Sequence, residues 1–243
     1  MRIGQWLSQA GVCSRREAQR LISQGRIKVN DEIINSPVMI SESDQVFVDQ
    51  QLVAAAASFE YVIYNKPVGI DCNCKPDDPN SISNRLKLPT KLFPVGRIDK
   101  DSHGLMLLTN DGALCQKLLS PNYNHPKSYR VKVRPHYGKP SIDSHFAEAM
   151  QAGVLIDGQV TKPCLVTLEA ENQFIITLTQ GLNRQIRKMS RQLGYHVIDL
   201  QRISITHLSI EGLALNHWRY LPTDEIVQLQ QTISKPAQLL IPS

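Results

Sequence analysis

A carboxylate set among cations is the feature of this sequence best placed to do chemistry. Asp99 lies in the segment 94–104, with Arg97 on one side and Lys100 on the other. The segment contains two glycines and runs directly into an apolar, strand-like stretch at 105–108. Glycine lets backbone and ligand approach closely, and neighbouring cations keep a carboxylate ionised. The pattern predicts a loop that presents Asp99 as a nucleophile or an acid–base group.

Other elements must bring Asp99 a partner and a binding surface. Arg187 lies in a basic, helix-like segment, and its guanidinium would hold Asp99 ionised in a water-poor pocket. Tyr129 alternates with valines at 131 and 133, so these side chains share one face of a strand. Tyr129 can therefore lie either in the core or in the floor of a pocket.

Composition bounds the class of protein. At 243 residues, with 42% hydrophobic and 20% charged residues, the chain reads as an ordinary globular protein with a core that needs no disulfides. It has no long apolar run and its start lacks the apolar centre of a signal peptide, which predicts a cytoplasmic protein without a membrane partner. The five cysteines, an odd number, suit reduced thiols. Cys72 and Cys74 form half of a metal site at most, so no metal is predicted.

The net charge of +5 is clustered, which indicates a polyanionic partner such as RNA. The first 30 residues hold six basic residues and one acid, and residues 184–191 hold four basic residues and no acid. A solvated helix face is the simpler reading of either patch alone. The predicted RNA-binding residues are Arg15, Arg16, Arg20, Arg26, Lys28, Arg184, Lys188 and Arg191.

The N-terminal part predicts a small helix-helix-strand domain over residues 1–48. Ile3, Leu7 and Ala10 form a helical stripe, and the segment 14–17 has the form of a capping box that starts a second helix. The segments 14–18, 21–22 and 28–30 resemble the RNA-binding module first recognised in a small-subunit ribosomal protein, the S-four type. Asp31 stands where that module usually has glycine, and we expect it to tolerate the tight turn.

The remaining chain predicts a linker over 49–58, a catalytic domain over 59–233 and a tail over 234–243. Strands are expected at 60–64, 105–109, 128–134, 164–169, 174–179 and 196–207, and helices near 111–119, 141–150, 183–193 and 223–232. Because strands follow one another without regular alternation with helices, the fold class is α+β. The larger domain should have a mixed, mainly antiparallel sheet with peripheral helices.

Four segments in order, at 65–69, 96–99, 127–131 and 181–189, resemble the motifs of the pseudouridine synthases that act on ribosomal RNA. The family includes small-subunit synthase A and large-subunit synthases B, E and F. The segments at 181–187 and 212–219 resemble the F branch most. The resemblance implies a cofactor-free isomerase that converts a uridine of 23S rRNA to pseudouridine, acts as a monomer, and has 16S rRNA or a tRNA anticodon as alternative substrates.

The resemblance also assigns roles. Asp99 is the essential catalytic residue, acting either as a nucleophile on C1′ or through a glycal-type route. Tyr129 stacks on the flipped base, Ile186 packs against it, Arg187 bridges to Asp99, and Arg97 supports the site. The segment 65–69 is expected to form only a structural turn.

Three other readings compete with this one. A glycosidase would need a second carboxylate facing Asp99, and Asp101 is the nearest. Asp99 and Asp101 could instead bind a metal as in nucleases. A noncatalytic RNA-binding protein of ribosome assembly would explain both basic patches, although not the order of the four motifs.

Overall fold

The computed structural model describes residues 1–55, 58–75, 77–120 and 122–234. A small N-terminal sheet with two helices precedes a larger mixed sheet flanked by helices, which confirms the α+β class. The predicted tail, 234–243, lies outside the described residues apart from Ser234. None of the helices in the described ranges is long and apolar enough to cross a membrane.

The N-terminal unit packs two helices on a four-stranded antiparallel sheet of order β2-β1-β3-β4. Ser14 caps the second helix by accepting a hydrogen bond from the Glu17 amide at 3.1 Å, as the capping pattern predicts. Ile3, Leu7 and Ile22 are fully buried in its core. The elements are α1 (Ile3–Gln9), α2 (Arg15–Ser23), β1 (Ile27–Val29), β2 (Glu32–Ile33), β3 (Val46–Val48) and β4 (Gln51–Val53).

One local expectation for this unit is wrong, and another holds for a different reason. The predicted linker over 49–58 contains a strand, because Asp49 and Gln50 take left-handed φ angles of 50° and 66° and turn the chain back so that β4 pairs with β3. In the turn between β1 and β2 the left-handed residue is Asn30, with φ 53°, and not Asp31. Asparagine enters this region more readily than most residues, so the turn has no need of the glycine.

The larger unit contains a sheet of order β11-β12-β8-β13-β7-β5-β15, with β14 on β13 and β6 on β7. Its strands are β5 (Tyr61–Lys66), β6 (Phe93–Pro94), β7 (His103–Thr109), β8 (Lys127–Pro135), β11 (Leu165–Ala170), β12 (Gln173–Leu178), β13 (Tyr195–Ile205), β14 (Leu208–Ser209) and β15 (Trp218–Tyr220). A separate hairpin joins β9 (Leu155–Ile156) to β10 (Gln159–Val160). The helices are α3 (Ile82–Arg85), α4 (Gly112–Leu119), α5 (Ser144–Ala152), α6 (Gln185–Gln192) and α7 (Thr223–Ile233).

Helices pack on the larger sheet, and β5 and β7 are buried on both faces. Phe146 of α5 and Met189 of α6 pack on β8, β12 and β13, while Leu114 of α4 and Leu229 of α7 pack on β5 and β7. A further apolar cluster, which includes Met106, covers the other face of β5 and β7. Strands buried on both faces carry continuous apolar runs, which is why this part of the sequence reads as strand so clearly.

The sheet is antiparallel except where β13 meets β7. There Gly104 lies opposite Arg202 with a φ of 109°. A Cβ on Gly104 would lie 2.3 Å from the Arg202 carbonyl oxygen, so only glycine fits the close approach of the two strands. Gly104 closes the loop that carries Asp99.

Candidate active site

The Asp99 loop connects β6 to β7 and is held by backbone contacts. The Ser102 amide donates to the Asp99 carbonyl at 3.0 Å, which closes the turn. From outside, the Gly69 amide donates to the Lys100 carbonyl at 2.8 Å, and the Cys72 thiol donates to the Ile98 carbonyl at 3.2 Å. The segment 65–69 thus helps to hold the Asp99 loop, and burial raises the pKa of Cys72, which keeps it a neutral donor.

Arg184 is the cation that contacts Asp99. Its Nη1 lies 3.4 Å from the Asp99 carboxylate, and its two terminal nitrogens donate to the carboxylate of Asp101 at 3.1 and 2.8 Å. The hydrogen bond from Arg184 lowers the pKa of Asp101 below its ordinary value. Arg184 caps α6 in the left-handed conformation, with φ 51° and ψ 34°, in a backbone region that non-glycine residues seldom adopt. The Asp99 carboxylate, 31% exposed, remains open to solvent.

Arg187 lies at the site, but it does not form the predicted ion pair with Asp99. Its Nη2 donates to the Asp101 carbonyl at 2.9 Å and to the Ser102 hydroxyl at 3.1 Å, while Nη1 donates to the Val197 carbonyl at 3.1 Å. Because α6 begins at Gln185, Arg187 in its first turn faces the sheet, with 15% of its side chain exposed. Arg187 therefore ties the Asp99 loop to β13, and the ion pair with Asp99 belongs to Arg184.

A cleft of about 590 Å³ opens beside Asp99. Tyr129 of β8 lines it and also packs against the cluster under α5 and α6, so both roles left open for this residue apply. Ile186, 5% exposed, lines the same cleft. A carboxylate beside an aromatic ring and aliphatic walls can hold a planar base next to a reactive group. The lining includes Asp99, Tyr129, Leu178, Ile186, Leu200 and Arg202.

Arg97 lies at the rim of this cleft. It is exposed and its Nη1 donates to the Asn73 side chain at 3.4 Å. Arg97 is therefore placed to meet a ligand that enters the cleft, and it forms no ion pair with Asp99 within the described residues.

Two ionisable groups of the cleft escaped the sequence-based prediction. His103 Nε2 lies 3.0 Å from the Asp199 carboxylate, and its side chain is 20% exposed. Arg202 is 2% exposed, and its Nε donates to the Leu105 carbonyl at 2.7 Å. A signal for Arg202 exists: it stands two residues after Leu200, at a position of the strand where alternation predicts an inward side chain.

The predicted RNA-binding residues differ in how free they are. Several already have acidic partners: Glu17 for Arg20, Asp49 for Arg26, Asp31 for Lys28, Asp157 for Lys188 and Asp101 for Arg184. Arg16 and Arg191 are exposed and have no polar side-chain partner among the described residues. Arg15 points toward the start of α4, where its Nη2 lies 3.1 Å from the position of a Cβ on Gly112.

Comparison with known proteins decides between the readings of this site. A family model described as RNA pseudouridylate synthase matches residues 60–192, and an S4 domain model matches residues 1–53. The chain belongs to the RNA pseudouridine synthase family. This confirms the predicted isomerase and the predicted N-terminal RNA-binding module, and the glycosidase, metal-nuclease and noncatalytic readings fall away.

Individual relatives match almost the whole chain. The dual-specificity RNA pseudouridine synthase RluF of Escherichia coli (strain K12) is 39% identical over 244 residues, which cover 100% of this chain and 82% of that protein. The ribosomal large subunit pseudouridine synthase B of Bacillus subtilis (strain 168) is 32% identical, with 94% and 95% covered. A solved structure described as a pseudouridylate synthase has a TM-score of 0.67 at 28% identity and covers 94% of this chain and 99% of that one.

Proposed function

We propose that this synthase isomerises a uridine of 23S rRNA, with Asp99 as its catalytic residue. The observation that carries the proposal is the position of Asp99 in one cleft with Tyr129 and Ile186, next to the guanidinium of Arg184. The names of the relatives support the substrate class, since one is a large subunit synthase and others are dual-specificity synthases. The assignment of each residue's role follows from the chemistry.

The reaction must break the N1–C1′ bond, turn the uracil and rejoin it through C5. The base has to leave its helix first, which costs a few kcal/mol that contacts in the cleft must offset. Stacking on Tyr129 contributes about 1–3 kcal/mol of this, and Ile186 covers the same base from the side of α6. Arg184 holds the Asp99 carboxylate beside the cleft, where it can attack C1′ or accept a proton from the sugar.

Arg187 has a different task in this proposal from the one that the sequence suggested. It fixes the backbone of Asp101 and the hydroxyl of Ser102, so it keeps the Asp99 loop in one place while the base enters. Such positioning of a reacting group contributes to the rate without any contact to the reacting atoms.

RNA docking would use the N-terminal unit and the exposed face of α6. Arg16 and Arg191 can meet phosphates directly, whereas paired cations such as Arg26 must exchange a carboxylate for a phosphate. We propose a monomer that works in the cytoplasm, in keeping with its five free thiols.

A second substrate class is a tRNA anticodon uridine. The relatives named dual-specificity synthases favour testing it alongside 23S rRNA. In this proposal the cleft lining contacts a single flipped uridine, which both RNAs can supply.

The test is tritium release from 23S rRNA and tRNA transcripts labelled at C5 of uridine. Wild-type protein should release one equivalent of tritium per target from the 23S transcript, and Asp99→Asn should release none. The matched control is Glu148→Gln, an exposed carboxylate on α5, which should behave as wild type. Tritium release by Asp99→Asn at the wild-type rate would overturn the assignment of Asp99. Release from tRNA alone would overturn the choice of 23S rRNA.

A further inference from the structure

Among the residues that the structure describes, a buried cation under the cleft has no acidic partner. Arg202 is 2% exposed, yet its hydrogen bonds go only to the Leu105 carbonyl, from Nε at 2.7 Å, and to the Met106 sulfur, from Nη2 at 2.9 Å. Its Nη1 has no partner among the described residues, and Arg202 forms no ion pair with any of them. Buried arginines are almost always paired with a carboxylate, because an uncompensated charge in the interior is costly. A buried arginine that lines a ligand cleft without such a partner is suited to a ligand that brings the negative charge.

The position of Arg202 identifies the part of the ligand that it would meet. In the sheet it lies opposite Tyr129 of β8 on one side and opposite Gly104 of β7 on the other. Tyr129 is the proposed stacking surface, and Gly104 ends the loop of Asp99. Arg202 therefore lies beneath the place where the base would sit, between the ring that stacks on it and the carboxylate that attacks its sugar.

A second buried cation adds to the positive potential of this floor. Lys66 is 0% exposed, and its ammonium donates to the carbonyls of Pro67 and Ile70 at 3.0 and 2.9 Å. Like Arg202, it has no carboxylate partner within the described ranges. Carbonyls satisfy its hydrogen bonds and leave its charge uncompensated.

The isomerisation generates a matching negative charge. When the N1–C1′ bond breaks, its electron pair stays on the base, and C1′ either bonds to an Asp99 oxygen or becomes part of a glycal after loss of a proton from C2′. In both routes the free uracil is an anion, with charge shared between N1 and the carbonyl oxygens at C2 and C4. The charge disappears when C5 bonds to C1′, a step that releases the Asp99 carboxylate in the first route and returns the proton to C2′ in the second, after which C5 loses its proton.

We propose that Arg202 is a catalytic residue that donates a hydrogen bond from Nη1 to a carbonyl oxygen of the uracil anion. This inference rests on the proposed function of the cleft, but it holds for the nucleophilic and the glycal-type route alike. A charged donor that is already in place where charge develops stabilises the transition state more than the ground state. The alternative is that Arg202 only links β13 to β7. The hydrogen bond from its Nε to the Leu105 carbonyl and the packing of its aliphatic stem would be enough for that structural role.

The experiment compares two substrates that differ in how basic the departing base is. The transcript is the one that wild-type protein converts in the tritium assay, prepared either with uridine or with 5-fluorouridine. Fluorine withdraws electrons and stabilises the uracil anion, so the fluorinated base depends less on a donor from the protein. Labelled nucleosides are recovered after nuclease digestion under single-turnover conditions, and the C-glycosidic product is measured. With 5-fluorouridine, whose C5 has no proton to lose, this product keeps its fluorine and takes up water at C6, and formation of the C5–C1′ bond is the readout that both substrates share.

Arg202→Met, which keeps the stem, should slow the conversion of uridine about 100-fold, the usual effect of losing one such donor. With 5-fluorouridine the defect should fall below about 10-fold, while the affinity for RNA stays at the wild-type value. Arg202→Lys should recover part of the uridine rate. Arg134→Met, an exposed arginine of β8, is the control and should match wild type on both substrates.

Equal defects on the two bases would show that Arg202 is structural and would overturn the proposal, as would a uridine rate within about threefold of wild type. If Arg202→Met does not fold, the same comparison is made with Arg202→Gln, which removes the positive charge and leaves an amide that can still donate to the Leu105 carbonyl. Because wild-type conversion and its loss in Asp99→Asn are established on the same transcript first, a failure of the Arg202 variants to discriminate leaves the proposed function standing.

Discussion

Gly104→Ala should destabilise the larger unit far more than an ordinary glycine substitution. The φ of 109° alone costs an alanine about 1–3 kcal/mol. In addition, the new methyl group would lie 2.3 Å from the Arg202 carbonyl oxygen and 2.7 Å from its nitrogen. These atoms belong to backbone, so the methyl can be accommodated only if β7 and β13 separate.

The magnitude follows from what the separation breaks. Only two residue pairs join β7 to β13, His103 with Gln201 and Gly104 with Arg202. Loss of about two associated hydrogen bonds, at about 0.5–1.5 kcal/mol each, brings the expected total to about 2–6 kcal/mol. Gly138→Ala is the matched control, since Gly138 has a φ of 79° but nothing within 4 Å of its Cβ position. The control should lose no more than about 2 kcal/mol, which is the conformational penalty alone.

The assay is urea unfolding in a Trp6→Phe background, where Trp218 of β15 alone reports on the sheet. The gain in stability from restricting the unfolded chain is common to both alanine variants and cancels between them. A free energy of unfolding for Gly104→Ala within about 1 kcal/mol of the Gly138→Ala value would refute the claim that the strands approach too closely for a side chain. A folded fraction of Gly104→Ala should also be inactive, because the Asp99 loop and Arg202 move with the strands.

Three other outcomes follow from single residues. Tyr129→Leu should slow single-turnover tritium release, because it removes a ring whose stacking on the flipped base contributes about 1–3 kcal/mol. Tyr129→Phe keeps the ring and should keep most of the rate. Burial lowers the pKa of Lys127 to about 8 in the folded chain, while the unfolded chain holds that proton up to about 10.5. Urea unfolding should therefore show wild type gaining stability over Lys127→Met as the pH rises from 8 toward 10. Arg16→Gln should lower the slope of log K against log salt for RNA binding by about 1, and Arg26→Gln by less, because Asp49 already neutralises Arg26.

Local signals in the sequence were sufficient for most of the fold. The capping pattern at Ser14, the apolar runs of β5 and β7 and the alternation in β8 are each set by neighbouring residues, and each produced the expected element. The strand at Gln51–Val53 was missed because three residues carry too little pattern. Its formation depends on the left-handed turn at Asp49 and Gln50, which no local propensity requires.

The sequence predicted which residues line the cleft, but it did not predict which arginine forms the ion pair with Asp99. Asp99, Tyr129 and Ile186 line one cleft, as expected. Spacing along a helix could not tell which arginine meets Asp99, because Arg184 stands before the first helical turn in a left-handed conformation that the 3.6-residue period does not describe. Arg202 was missed for a different reason. Alternation with Leu200 predicts an inward side chain, but a charged residue in a strand is normally expected to face solvent.

The parallel contact between β13 and β7 explains why Arg187 binds the backbone of the Asp99 loop, and why Arg184 forms the ion pair with Asp99. β13 begins at Tyr195, but β7 joins it only at Gln201, opposite His103, so the first half of β13 lacks a partner strand on that side. The Asp99 loop fills the place where β7 would continue, and the loop cannot complete the ladder. Arg187 bridges the gap, with one nitrogen on the Val197 carbonyl and the other on the Asp101 carbonyl. A guanidinium that satisfies two backbone carbonyls at a strand edge has no freedom to follow a carboxylate during reaction. The ion pair with Asp99 therefore belongs to Arg184, which lies outside the sheet at the start of α6.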